Sequence, residues 1–291
     1  MITITAPTGH IGTQLVQLLL EAGLALRVIA RDPARLPDRI RDRVEIVPGS
    51  HGDAAVLDQA LTGTDALFWL VPPNPQAPSA QQHYLRFADA AAAAIQRHGV
   101  SHVVGVSSAG HGWAKPAGVL SAAFAMDAVL GASGAAYRAL SMPFYLENLL
   151  GQGSSLRDHG TFSLTCADDL PLATVATRDI AATAASLLTD TSWTGQETIP
   201  LFGPDRLTPD GMAAILSEEL GRPITYRRTS LEDFGAMLAS RGASPQAVKD
   251  TTEMFAAQDD GIYDEDWSRA QIGATDFRTW CREVLKPAVS A

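Results

Sequence analysis

The segment Thr5-Ala6-Pro7-Thr8-Gly9-His10-Ile11-Gly12 has the residue types and spacing that most directly imply chemistry. It follows a short β-rich run over 1–5 and precedes apolar residues at helical spacing over 11–22. A dinucleotide fingerprint belongs at such a junction, where a helix N-terminus offers unpaired N–H groups and a positive dipole end to a pyrophosphate. Gly9 lets the backbone approach a phosphate, and Gly12 lets the helix pack close to the sheet. A tight turn that binds nothing is the competing reading, since paired glycines are common in turns. Position 6 is Ala where the fingerprint usually has its first Gly, and a methyl there hinders the turn or the approach of a cofactor.

Arg31 is the second signal. It closes the β-rich run 25–30, where such sites meet the adenosine ribose. A carboxylate there favours the 2′-hydroxyl of NAD, whereas an arginine favours the 2′-phosphate of NADP. Arg35 follows one turn later. Asp32 pulls the other way, although Asp32-Pro33 also reads as a helix N-cap and first helical position. A solvated surface charge is the alternative for Arg31. The pattern predicts NADP(H) in preference to NAD(H), with Thr8, Gly9, His10, Ile11 and Gly12 on the pyrophosphate and Arg31 and Arg35 on the 2′-phosphate.

Other constellations point to little chemistry. None of the seven histidines falls in HExxH or another metal spacing, so no metal site is expected. Gly105-Val106-Ser107-Ser108-Ala109 lacks the second glycine of a nucleophile elbow. The acidic pairs Asp168-Asp169 and Asp259-Asp260 read as solvated loop charges.

The elements that must position these residues alternate along the first half. Strands are expected over 1–5, 25–30, 44–47, 66–71 and 102–107, and helices over 11–22, 53–61 and 79–98. This predicts an α/β fold, a doubly wound parallel Rossmann-type sheet with a smaller C-terminal substrate-side lobe. Ligands then bind beyond the carboxyl ends of the strands, at 6–12, 31–35, 48–53, 71–75 and 107–113. The second half is less regular. A helix is expected over 119–132, a strand over 137–141, and a helix over 178–189. Further on come a helix over 208–220, capped by Thr208 and ended by Gly221, and a strand over 225–228. A mostly helical tail follows from 231 to 291. The expected division is a nucleotide-binding core over 1–143, to which 170–203 contributes, and a smaller lobe over 144–291.

Composition narrows the partners. The 291 residues are 46% hydrophobic and 19% charged, as in an ordinary globular protein. A net charge of −10 repels a phosphate backbone, so no direct nucleic-acid partner is expected. Cys166 and Cys281 lie far apart and outside any CxxC pattern, which favours reduced thiols. No apolar stretch reaches the roughly 18 residues of a membrane span. The chain passes directly into Ile2-Thr3-Ile4, which reads as a strand and not as a signal peptide. A cytoplasmic protein is expected.

Several segments recur together in order: 2–16, 28–36 (VIARDPARL), 99–110 (GVSHVVGVSSAG), 132–150 with ASG and FYLENLL, 178–181 (RDIA), and 194–226 with GQE, LFGP and LGRPITY. On these the chain resembles the NmrA-like branch of the atypical short-chain dehydrogenase/reductases, over nearly its whole length. The resemblance implies NAD(P)H-dependent reduction of quinones, dyes or phenolic ethers, or cofactor sensing without turnover. It also implies departures. Short-chain dehydrogenases commonly use Tyr-x-x-x-Lys, and aligning on Ala132-Ser133-Gly134 puts those positions near Val119 and Ala123. No Tyr in this chain has a Lys four residues later. The family's arginine in the strand before ENL is Ser141 here.

Without that dyad, reduction of an ordinary ketone lacks its proton donor. Quinones, enones, iminium ions and cationic dyes accept hydride with the charge delocalised or neutralised. The expected function is an NADPH-dependent reductase of such a small-molecule acceptor. Leu70, Val71 and Pro72 would flank the nicotinamide, with Ser107 at the end of the fifth strand. Trp113, Phe144, Tyr145 and Asn148 would line the acceptor pocket. Candidate catalytic groups are His111, Tyr145 and Ser108. An exposed loop imidazole is the bland reading of His111, a core aromatic that of Tyr145, and a packed loop anchor that of Trp113. Two other functions remain open: a non-catalytic NADP(H) sensor, and an isomerase, lyase or cyclase on the same fold. A homodimer or a protein partner is also left open.

Overall fold

The computed structural model describes residues 1–290. Strands β1 (Ile2–Ile4), β2 (Leu26–Ala30), β3 (Glu45–Pro48), β4 (Ala66–Trp69), β5 (His102–Ser108) and β6 (Ala136–Met142) form the frame. Helices α1 (His10–Glu21), α2 (Asp38–Arg41), α3 (Ala54–Leu61), α4 (Ala80–His98) and α5 (Val119–Gly131) alternate with them. The short strand β7 (Phe144–Tyr145) and the helix α6 (Gly153–His159) lead into β8 (Thr161–Leu164) and β9 (Leu172–Val175). Helix α7 (Thr177–Thr189), β10 (Gln196–Phe202), β11 (Arg206–Leu207), α8 (Pro209–Leu220) and β12 (Thr225–Arg228) follow. Helices α9 (Leu231–Ser240), α10 (Pro245–Asp259) and α11 (Asp264–Trp267) precede β13 (Gln271–Ile272).

Eight strands pair in the order β13-β10-β6-β5-β4-β1-β2-β3, every pair parallel. The strand order reverses between β1 and β4, and a crevice opens at that point. Side-chain alternation builds the layers. Phe68 faces a core with Ile4, Leu15, Val28 and Ile180, while Leu67 and Trp69 face a core with Ile29, Ala91 and Met126. All four residues of β4 are buried, as expected of a strand covered on both faces.

Helix ends follow local chemistry. Ser79 and Thr208 accept backbone hydrogen bonds at the starts of α4 and α8, and Gly99 and Gly221 close them in the left-handed conformation. Beyond residue 144 a separate core gathers Leu149, Phe162, Met212 and Trp280. β12 pairs in parallel with β8, and β7, β9 and β11 form a third small sheet.

The tail from 231 is mostly helical, and the two-residue β13 interrupts it, pairing with the outer edge of β10. Two residues are too short a run for a periodic signal, and the strand depends on the neighbouring edge. Among the described residues, no helix is long and apolar enough to cross a membrane.

Candidate functional site

The turn after β1 is fixed by side chains at its two ends. Thr5 Oγ1 donates to the Phe68 carbonyl at 3.1 Å and accepts from the Leu70 amide at 2.8 Å, which joins the ends of β1 and β4. Thr13 Oγ1 donates to the Pro7 carbonyl at 3.0 Å. Between these pins Ala6 takes φ +50°, the one non-glycine residue in the left-handed region among those described. The turn expected of glycine therefore forms around alanine, at a cost of roughly 1 kcal/mol.

Gly12 shows how close the packing is, because a Cβ there would lie 2.2 Å from the Ala6 carbonyl oxygen. Helix α1 starts at Gly9 with no side-chain cap, unlike α3, α4, α8, α9 and α10. Its first N–H groups therefore remain free for an anion.

A cavity of about 400 Å³ lies in front of this turn. Residues 6–12 form one wall, and Arg31, Arg35, His51, Leu70 and Pro72 contribute to the others. Arg31 and Arg35 are both exposed and form no ion pair among the described residues. Asp32 is occupied elsewhere, accepting from the Ala34 amide as the cap of the following 3-10 turn. His51 is buried against Trp69 and Phe87, and its Nε2 has no partner. Burial lowers its pKa to about 4, so the ring is neutral near neutral pH. An uncapped helix start, two unpaired guanidinium groups and an orphaned buried imidazole nitrogen together fit a dinucleotide.

A second cavity of about 460 Å³ adjoins the first. The two share Leu70, Pro73, Tyr145 and Asn148. Tyr84, Phe144, Tyr145, Phe255 and Tyr263 give the second cavity aromatic walls, and no Lys or Arg lines it. Burial pushes the phenols of Tyr84 and Tyr263 up to about 12 and that of Tyr145 higher still. All three are weak proton donors. Val119 and Ala123, one turn apart on α5, both line this cavity, so the family's Tyr and Lys positions face it with apolar side chains.

Helix α10 closes the far side. Asp250 Oδ2 accepts from the Ala80 amide at 2.8 Å and Oδ1 from Gln246 at 2.8 Å, so the carboxylate is spent on joining α10 to α4. Gly118 lets α5 approach, since a Cβ there would come 1.8 Å from the Asp250 carbonyl oxygen.

The residues singled out in the sequence divide as follows. Thr8, Gly9, His10, Ile11, Gly12, Arg31, Arg35, Leu70 and Pro72 line the first cavity. Val71, Ser107, Ser108 and Phe144 line the second, and Leu70, Tyr145 and Asn148 line both. His111 and Trp113 line neither. Trp113 packs with Ala117, Leu120 and Ile262 beneath Lys115, which matches the loop-anchor reading and removes it from the pocket wall. His111 is not a free loop imidazole: it packs on Phe124, and its Nε2 lies 3.0 Å from Asp127 Oδ2.

Three residues were missed by sequence reasoning. Asp127 carried a signal, being the one charged residue in the apolar helix VLSAAFAMDAVLG. His51 carried none. Glu147 accepts from the Thr177 amide at 2.9 Å and from Trp280 Nε1 at 3.1 Å, two partners remote in sequence. Among the described residues no cluster of three His, Cys, Asp or Glu side chains could hold a metal.

Comparison with known proteins gives a consistent result. Residues 7–191 match the model of a family described as NAD(P)H-binding. The chain is 32% identical over 260 residues to (4-alkanoyl-5-oxo-2,5-dihydrofuran-3-yl)methyl phosphate reductase of Streptomyces griseus, covering 85% of this chain and 83% of that one. It is 28% identical over 269 residues to quinone oxidoreductase 2 of Escherichia coli, covering 91% of each. The solved structure of the NADPH-dependent quinone oxidoreductase of Escherichia coli with NADPH superposes with a TM-score of 0.74 at 24% identity. It covers 100% of this chain and 99% of that chain.

Proposed function

The chain belongs to the NAD(P)H-binding family, and from that premise we propose that it is an NADPH-dependent reductase of a small, conjugated, uncharged or cationic organic acceptor. The observation that carries the reading is the continuity of the two cavities. The one that holds the α1 turn, Arg31 and Arg35 opens, at Leu70, Pro73, Tyr145 and Asn148, onto an aromatic one without a cationic side chain.

Residues 8–12 would hold the pyrophosphate on the free N–H groups of α1. Arg31 and Arg35 would take the 2′-phosphate, which favours NADPH over NADH. Leu70 and Pro72 would flank the nicotinamide, which when bound supplies the hydride. Tyr84, Phe144 and Tyr145 would stack and desolvate a planar acceptor. A phosphorylated acceptor, such as the name of the Streptomyces griseus relative indicates for that enzyme, would find no Lys or Arg in this cavity. An anion buried there would go unpaired, so the acceptor class excludes phosphates.

Calorimetric titration with NADPH and NADH, followed by NADPH oxidation with a quinone, an enone and an iminium salt, tests the reading. NADPH should bind more tightly than NADH, and Arg31→Ala should raise the NADPH Kd about 10-fold while leaving NADH unchanged. Tight NADPH binding with no acceptor reduced would favour a cofactor-sensing role. Absence of binding by either nucleotide would sink the reductase and the sensor together.

A further inference from the structure

A quinone or an enone gains a proton on oxygen as it accepts hydride; burial pushes the phenols lining the acceptor cavity above their ordinary range, and none is hydrogen-bonded to a carboxylate or an imidazole that could resupply its proton. His83 lines the same cavity, but its Nε2 lies 2.9 Å from the Pro72 carbonyl, an acceptor only. Nε2 is therefore the donor in that bond, and its proton is committed to the carbonyl. The carboxylate oxygens of Asp250 are committed to Ala80 and Gln246.

Ser107 differs from these groups in its connections. It lines the cavity, and its hydroxyl donates to Asp127 Oδ2 behind the wall. Asp127 is only 7% exposed, on an otherwise apolar helix, and a lone carboxylate there would cost several kcal/mol. Tyr137 satisfies Oδ1 with a 2.6 Å hydrogen bond. The Tyr137 phenol, pushed well up by burial and by the Asp127 charge, stays protonated as a fixed donor. A Cβ on Gly105 would come 2.2 Å from that phenolic oxygen, so glycine in β5 makes room for the bond.

Oδ2 is thus left to Ser107 and His111. His111 Nε2 stands 3.0 Å from it, out of line for a formed hydrogen bond, so a small ring rotation would complete the contact. The His111 side chain is 24% exposed and reaches solvent. Gly110 and Gly112, both at positive φ, fold the loop back onto α5, and the Gly110 amide is anchored 2.6 Å from Asp266 Oδ2.

We propose that Ser107, Asp127 and His111 form a proton relay that replaces the missing Tyr-Lys dyad, a proposal that rests on the reductase reading above. Hydride and its electron pair pass from NADPH to the acceptor, which leaves an electron pair on the acceptor oxygen. That oxygen takes the Ser107 hydroxyl proton. Ser107 Oγ is reprotonated through Asp127 Oδ2, which takes a proton from His111 Nε2 and passes it on, while solvent supplies a proton to the other ring nitrogen of His111. NADP⁺ and the protonated product leave. Ser107 is the catalytic residue, and Asp127 and His111 are positioning residues that act through it.

The relay makes a distinction that a structural role does not. A cationic triarylmethyl dye or an iminium ion is neutralised by the hydride itself and needs no proton. Ser107→Ala, which keeps the Asp127–Tyr137 bond, and Asp127→Asn should each lower the ratio of enone turnover to triarylmethyl-cation turnover about 100-fold. An unchanged ratio, whether both rates fall together or neither does, would overturn the proposal. A second readout needs no cofactor. Proton NMR should show a protected hydroxyl signal that disappears in Ser107→Ala, and its exchange with water should slow in His111→Gln. An exchange rate indifferent to His111 would refute the relay. If the wild-type protein reduces neither acceptor, the reductase reading fails, and the exchange measurement still decides whether this chain of groups carries protons.

Discussion

The two cavities differ in how they are built. The nucleotide-side cavity takes most of its wall from residues 6–12, 29–35 and 49–51, three glycines among them. The acceptor-side cavity is walled by residues from five separated stretches, as far along as Tyr263. A wall of N–H groups and close-packed glycines recognises what every dinucleotide shares. A wall of aromatic side chains can change its occupant one substitution at a time. The nucleotide side also holds a buried imidazole whose titration falls within an accessible pH range, whereas the acceptor side holds phenols at about 12 and above.

That last contrast gives the largest expected effect. His51 is held at about 4 by burial, against 6.5 in the unfolded chain. Below pH 6.5 the unfolded state binds a proton that the folded state refuses, so stability falls as pH drops from 6.5 to 4. The loss from this group is about 3 kcal/mol over the window. Denaturant unfolding at several pH values should show His51→Phe with a shallower slope than the wild type. Identical slopes would remove the contrast.

The next effect separates backbone recognition from side-chain recognition. Gly12→Ala places a methyl where the Ala6 carbonyl already sits and must push α1 off the turn. The NADPH Kd should rise about 100-fold, near 2.7 kcal/mol, by calorimetry. Retention of wild-type affinity would show that the turn does not hold the nucleotide.

A smaller effect belongs to the other wall. Asp250→Ala leaves the Ala80 amide without its partner and loosens α10, at a cost of about 2 kcal/mol in stability. It should raise the acceptor KM and leave the NADPH Kd unchanged. A parallel loss of NADPH affinity would mean that the two cavities act as one unit.

Legibility in the sequence follows the same division. The turn at Thr5–Gly12, the switch to arginine at the end of β2 and the parallel alternation were readable, because each depends on neighbours within a few residues or on a strict period. The alanine at position 6 argued against the turn in sequence, yet Thr5 and Thr13 pin the chain on either side and hold Ala6 at positive φ. Trp113 was read as a pocket residue or a packed loop anchor, and sequence could not choose between them because a loop aromatic packs on whichever helices fold over it.

By itself, then, the sequence determined the parallel alternation and the turn after the first strand, since period, glycine placement and helix starts are local properties. The tertiary structure alone decided which groups line the second cavity and which support them. His111 meets Asp127 only when two glycines fold the loop onto α5. Asp250 meets Ala80 across 170 residues. Such meetings depend on helix packing and on where a buried carboxylate can find donors, and no local pattern encodes that.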